Sequence, residues 1–233
     1  MKILGIIPAR GGSKGILKKN IKSLRGKPLI AYTIEAALSS KLSGVIVSTD
    51  CEEIAKISKK YGADVIMRAI KLAEDETPTL PVLQNVVNCI DVKYDAVMTL
   101  QPTSPLRTQK HINESIEFFE NDLDVDSLVS VVEVPHAFLP EKLMQYDGKY
   151  LHGNTNPIRR QDMSKQYARN GAAIYITKID LLNNSILGDR ILPYFMNECD
   201  SVDIDTLDDF FRAEYELSKK EIKFKTEKES CGI

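Results

Sequence analysis

The sequence predicts an α/β fold: a three-layer, mostly parallel sheet with helices on both faces, carrying a small excursion late in the chain. In the first half, short apolar runs alternate with segments whose apolar residues recur at helical spacing. The opening run has no polar interruption, as a strand buried on both faces requires. The rhythm breaks at Pro135 and returns only after Arg169.

Taken in order, Ile3–Ile7 is the first strand. Pro28 suits the first turn of a helix in which Leu29, Ile30, Ile34, Ala37 and Leu38 share a face. Val45–Val47 is a strand ending in the polar tip Ser48-Thr49-Asp50. Glu52–Tyr61 is a helix that Gly62 stops. Asp64–Met67 is a strand, and Leu80–Ile90 a helix with Pro81 in its first turn. Ala96–Leu100 is a strand leading into Gln101-Pro102-Thr103-Ser104-Pro105, and Ile112–Phe119 a helix. Ligands of such sheets bind beyond the C-terminal strand ends, so Arg10, Asp50 and Gln101 are expected on one site floor. Ser127–Val134 is a longer strand. Leu143–Leu151, with Asp147-Gly148 at its centre, signals a hairpin. Pro135–Arg169 is therefore an excursion for substrate or partner contact, because long loops without a role are uncommon. The α/β pattern resumes with Ala172–Thr177. The mixed-charge segment Lys219–Glu229 predicts a frayed, solvated end.

The 233 residues suit a single domain over 1–233, with 135–169 as its insertion. A net charge of −2 gives no reason to expect nonspecific nucleic-acid binding. No apolar run approaches the ~20 residues that span a bilayer. The start enters a strand at once, without a signal-peptide cleavage pattern, so a cytoplasmic protein is expected. Cys51, Cys89, Cys199 and Cys231 are far apart, which predicts reduced thiols. His111, His136 and His152 stand apart from them and from each other, which argues against zinc.

The loop after the first strand gathers Arg10, Lys14, Lys18 and Lys19 around Gly11, Gly12 and Gly15. Glycines let backbone N–H groups approach an anion, and the cations offset its charge, so the loop predicts a polyphosphate site. The bland alternative is a solvated basic loop. Neither the Walker A spacing nor the dinucleotide G-x-G-x-x-G is present. The second chemical signal is Ser201-Val202-Asp203-Ile204-Asp205-Thr206. Read as a strand, it puts Asp203 and Asp205 on one face, where they can share Mg²⁺ with phosphate oxygens. The alternative is a helix start, with Thr206 and Asp209 as a capping box with Asp in place of Glu.

Together, I-P-A-R-G-G-S-K-G, V-S-T-D, L-Q-P-T-S-P-L-R, N-G-A-A-I-Y and D-I-D, in that order, make the chain resemble the acylneuraminate cytidylyltransferases over nearly its whole length. These are the CMP-sialic acid synthetases and their relatives for other nine-carbon sugar acids. The resemblance implies a nucleotide-diphospho-sugar transferase fold, Rossmann-like in outline. It implies transfer of CMP from CTP to a nonulosonic acid, Mg²⁺ dependence, and a homodimer that the excursion joins. It implies that Arg10, Gly12, Ser13, Lys14, Lys19 and Asn20 hold CTP, with Gln101 near both nucleotide and sugar. Arg10, Lys19, Asp203 and Asp205 carry catalysis, and the two aspartates bind the metal. Arg169, Asn170 and Tyr175 line the sugar pocket. The family often has N-G-A-I-Y; the extra alanine here makes the match of Arg169 and Asn170 depend on which end of the segment is aligned. Arg159, Arg160 and Arg169 are the candidates for the sugar carboxylate. A CMP-Kdo synthetase, another sugar nucleotidyltransferase and a non-catalytic nucleotide-binding homologue are the alternatives.

Overall fold

A computed structural model of the chain describes residues 1–153 and 159–230, the side chains of 160 and 223–230 excepted. β1 (Ile3–Pro8) is followed by a tight hairpin, β2 (Ser23–Leu24) and β3 (Lys27–Pro28). Its turn residues Arg25 and Gly26 have φ of +49° and +80°, as a two-residue type I′ turn requires. Then come α1 (Leu29–Leu38), β4 (Gly44–Thr49), α2 (Glu52–Lys60), β5 (Asp64–Met67), α3 (Thr79–Asn88), β6 (Ala96–Thr99) and α4 (Gln109–Asn121). Each lies where the apolar spacing put it. Leu38, expected on the buried face of α1, is instead exposed at the last residue of that helix.

The second half holds β7 (Ser127–Glu133), the hairpin β8 (Met144–Tyr146) and β9 (Leu151–Gly153), β10 (Tyr167–Arg169), β11 (Tyr175–Lys178), β12 (Ile191–Phe195) and α5 (Leu207–Ser230). The main sheet has the order β10-β7-β11-β6-β1-β4-β5, with β12 also on β7. β6, β1, β4 and β5 are mutually parallel, whereas β11 runs antiparallel to both β6 and β7.

Side-chain alternation divides the sheet into two faces. Ile3, Ile7, Val45, Val47, Ala96 and Met98 pack with Ile30 and Ile34 of α1, Ile54 of α2 and Ile112 and Ile116 of α4. Leu4, Ile6, Ile46 and Val97 pack with Leu83 and Val86 of α3. This is the expected three-layer arrangement. A smaller cluster seats Phe210 and Ala213 of α5 against Leu24, Leu29 and Leu106.

Three expectations are corrected. The excursion does not run to Arg169, because Tyr167–Arg169 is already β10, paired with β7. Arg169 stands opposite Val131 and Tyr175 opposite Val129, on the side of β7 away from β12. β10 and β11 are thus one strand interrupted by Asn170–Ile174, and the extra alanine lies in that interruption. Ser201–Thr206 is not a strand. It keeps the alternation of buried Val202 and Ile204 with more exposed Asp203 and Asp205, but has no ladder partner; Ile204 N–H donates to the Thr103 carbonyl at 2.8 Å. Lys219–Glu229 continues the helix α5.

Cys51, Cys89 and Cys199 are free thiols, and Cys231 lies outside the described residues. Among the described residues no helix is long and apolar enough to cross a membrane.

Candidate active site

A cleft of about 520 Å³ opens at the C-terminal ends of the central strands. Its lining brings together Arg10, Ser13, Lys14, Lys19 and Asn20 from the first loop, Gln101 and Thr103 from the loop after β6, and Asp203 and Asp205. The cation loop and the aspartate pair, far apart in sequence, therefore face one space. They also touch. Lys19 Nζ donates to the Ile204 carbonyl at 2.6 Å and to Asp205 Oδ1 at 3.0 Å. A Cβ on Gly15 would stand 2.6 Å from the Asp205 carbonyl oxygen, so only glycine permits that approach.

Two of the loop's glycines, Gly11 and Gly15, are packing positions, whereas a Cβ on Gly12 would meet nothing within 4 Å. None of Gly11, Gly12 and Gly15 has positive φ; Lys18 takes the left-handed turn instead, at φ +52°. Gly11 donates its N–H to Asp50 Oδ1 at 2.9 Å, and a Cβ there would meet Cys51. Asp50 thus braces the loop from behind and does not line the large cleft. Gly12 and Lys18 face the same rear pocket, with Lys18 Nζ 2.6 Å from Glu53. Asn20 donates to the Arg10 carbonyl at 2.9 Å, which fixes the loop's curvature.

Asp203 is half-buried, and its Oδ1 has no hydrogen-bond partner among the described residues. Burial pushes its carboxyl above the usual range and Asp205 adds to the rise, while Thr103 and Lys19 oppose it. Such an oxygen has the chemistry of a ligand for a hard cation. Gly171 abuts the same carboxyl group; at φ +68° and with no room for a Cβ, it is a position for glycine alone. Among the described residues no group of three or more His, Cys, Asp or Glu could enclose a metal. Asp203 and Asp205 fit an ion whose remaining ligands come from phosphate and water. The predicted capping box is also present: Thr206 N–H donates to Asp209 Oδ2 at 2.8 Å, and Asp209 N–H to Thr206 Oγ1 at 3.2 Å. The helix start thus uses the Asp209 carboxylate, while Asp205 accepts from Lys19 and Asp203 Oδ1 is without a partner among the described residues.

Two cleft residues carry no motif signal. Asp75 forms ion pairs with Arg10 and, at 2.8 Å, with Lys14, and both cations hold its carboxyl below the usual range. Arg68 is buried, and its Nε and Nη1 have no partner among the described residues. Burial lowers its pKa against the pull of Asp50. A solitary arginine after β5 is readable only once topology sets it beside Arg10.

A second cavity of about 350 Å³ shares Thr79 and Gln101 with the first. Arg169 and Tyr175 line it, so the two ends of the interrupted strand meet there. Burial raises the Tyr175 phenol, and Arg169 beside it works the other way. Of the other candidate arginines, exposed Arg159 pairs with Asp162 at 2.9 Å, and the Arg160 side chain lies outside the described residues. Asn170 lines neither cavity. It accepts from Ser130 Oγ at 2.7 Å and donates to Ser201 Oγ at 2.9 Å, tying the strand interruption to the aspartate segment. Arg107, fully buried without a carboxylate, donates to the Gln101 and Ala173 carbonyls and to Thr33 Oγ1. Desolvation takes its pKa down to about 9.

Residues 4–187 match the family model described as Cytidylyltransferase. The chain is 35% identical over 221 residues to N-acylneuraminate cytidylyltransferase of Escherichia coli O18:K1:H7, covering 90% of this chain and 50% of that protein. It is also 35% identical over 228 residues to CMP-N,N'-diacetyllegionaminic acid synthase of Legionella pneumophila, covering 88% of this chain and 92% of that one. Among solved structures, CMP:2-keto-3-deoxy-manno-octonic acid synthetase complexed with CTP superposes with a TM-score of 0.73 at 18% identity, over 94% of this chain and 100% of the other. The chain spans about half the length of the N-acylneuraminate cytidylyltransferases it matches from Escherichia coli and Streptococcus agalactiae.

Proposed function

The chain belongs to the cytidylyltransferase family, and from that premise we propose that it transfers CMP from CTP to the anomeric hydroxyl of a nine-carbon 2-keto sugar acid. The sugar acid is of the sialic, legionaminic or pseudaminic type. The sugar oxygen forms a bond to the α-phosphorus, the bond to the bridging oxygen breaks, the hydroxyl proton is released, and pyrophosphate leaves. The observation that carries the reading is the cleft of about 520 Å³ that Arg10, Lys14 and Lys19 share with Asp203 and Asp205, with a second cavity opening at Gln101.

The chain's own groups supply positioning and charge, which is most of what phosphoryl-type transfer asks of a protein. Arg10, Lys14 and Lys19 neutralise the triphosphate as charge moves to the leaving group. Gln101, common to both cavities, stands where nucleotide and sugar meet. Arg169 takes the sugar carboxylate as a bidentate partner, with Tyr175 beside it. Asp203 and Asp205 would hold Mg²⁺, which when bound offsets phosphate charge. The names of the relatives support this substrate class, and the CTP-bound neighbour supports the fold as one able to hold that nucleotide. CTP and sugar acid suit a cytoplasmic enzyme. The excursion would join two copies: Leu143, Met144, Tyr146, Tyr150 and Leu151 of its hairpin are all exposed.

The test is pyrophosphate release from CTP and from UTP with Mg²⁺, across nonulosonic acids, Kdo and hexose 1-phosphates. Release with CTP and a nonulosonic acid is expected. Preference for Kdo or a sugar 1-phosphate would replace the substrate class, and CTP binding without turnover on any acceptor would favour a non-catalytic homologue.

A further inference from the structure

We propose that Thr99 helps select the sugar acid: its hydroxyl pairs with a hydrogen-bonding substituent, a hydroxyl or an acylamino group, that the substrate buries against Ile186. The inference rests on the function proposed above and deepens it. Thr99 ends β6 and is 1% exposed. Its Oγ1 is buried with no hydrogen-bond partner among the described residues, yet the residue lines the smaller cavity with Gln101, Tyr175 and Ile186. Valine has the same shape and suits a strand as well. It would fill the position without burying an unpaired polar atom, so the strand alone gives no reason for a hydroxyl.

Strand register fixes the face on which this side chain stands. Val97 packs on the α3 face and Met98 on the opposite one, so Thr99 belongs to the α3 face. Tyr175 lies directly opposite it on β11. Thr177, on the same face of β11, donates its hydroxyl to the Ile186 carbonyl at 2.7 Å and holds that apolar wall in place. The other buried hydroxyls without partners differ: Ser48 and Ser104 line neither cavity, and Thr103 lines the larger one beside Asp203. In the smaller cavity an arginine, Arg169, is already matched to a carboxylate. What Thr99 and Ile186 together ask for is a group that makes one hydrogen bond and presents carbon to the isoleucine.

The test compares wild type, Thr99→Val and Thr99→Ser on matched sugar acids. These carry a hydroxyl, an acylamino group or hydrogen at each substituted position in turn. At one position the wild type is expected to prefer a polar form over hydrogen by at least about ten-fold in kcat/KM. Thr99→Val lowers kcat/KM for that form about ten- to hundred-fold and brings the pair within about three-fold of each other. Thr99→Ser stays close to wild type, and KM for CTP is unchanged throughout, which a general loss of structure would not allow. The hydroxyl and acylamino arms identify the partner. Should valine fail to fold, Thr99→Ala makes the same deletion and carries the same expectation. A variant lacking the hydroxyl that keeps the wild-type preference, or a wild type without any such preference, overturns the proposal and leaves the proposed function standing. A wild type that turns over no sugar acid overturns both.

Discussion

Arg10 and Lys14 already hold an anion, and it is the protein's own. Asp75 occupies both cations, so under the proposed function a triphosphate has to break those pairs first. Exposed ion pairs of this kind contribute about 1 kcal/mol or less each. Asp75→Asn is therefore expected to lower KM for CTP several-fold; a rise in KM would mean that Asp75 helps to hold the nucleotide or its metal. Asp203→Asn and Asp205→Asn are each expected to slow turnover about a thousand-fold with the melting temperature retained. Unchanged turnover would remove both from the site. Single residues of this site were readable where a motif concentrates charge, as at Arg10, Lys14 and Lys19. Asp75, Arg68 and Thr99 were not, because each acquires meaning only from what the fold sets beside it. The resemblance put Asn170 in the sugar pocket, whereas its side chain lines neither cavity and bonds to Ser130 and Ser201.

At the scale of elements, the helices and parallel strands followed from apolar spacing, because burial on two faces leaves an unambiguous pattern. Ser201–Thr206 kept the alternation of a strand without becoming one. Alternate burial needs only something to pack against, whereas a strand also needs a neighbouring edge. The interruption between β10 and β11 was likewise hidden, since the chain turns at Gly171–Ala172 and then resumes pairing with the same strand, β7. The start of α4 illustrates a cap that titrates. Thr108 accepts from His111 N–H at 3.4 Å, and the His111 ring accepts from Thr108 N–H at 3.2 Å. Burial depresses the pKa of His111 despite the pull of Asp200 and Glu114, and Lys220 and Arg107 add to the depression. Below its ordinary value of 6.5 the unfolded chain takes up a proton that the folded chain resists, so stability falls as pH drops through that region. Wild type is expected to lose more melting temperature between pH 7.5 and 5.5 than His111→Gln does; equal losses would contradict this account.

Over the whole molecule, the parallel and antiparallel sides of the sheet both contribute to the site, and the antiparallel side also carries the excursion. The parallel strands deliver the cation loop and Gln101. The antiparallel side delivers Arg169 and Tyr175, and the segment before α5 closes the cleft with its aspartates. The fold and the cation loop were legible early because both lie in regular βα units. The smaller cavity, at Arg169 and Tyr175, lies where the chain leaves that pattern. The excursion's β8–β9 hairpin pairs with no strand of the main sheet and leaves large apolar side chains exposed. Replacing residues 140–152 with a short glycine-serine linker is expected to yield a monomer by light scattering that still binds CTP; a dimer retained without the hairpin would move the interface elsewhere.

The most direct test of the account follows the sugar's anomeric oxygen. Wild-type protein is given CTP, Mg²⁺ and a nonulosonic acid isotopically labelled at that oxygen, and the products are separated and weighed by mass spectrometry. The account predicts a CMP-sugar that retains the label in its bridging position and pyrophosphate that carries none. Label in the pyrophosphate, or nucleotide consumption without a CMP-sugar, would contradict it.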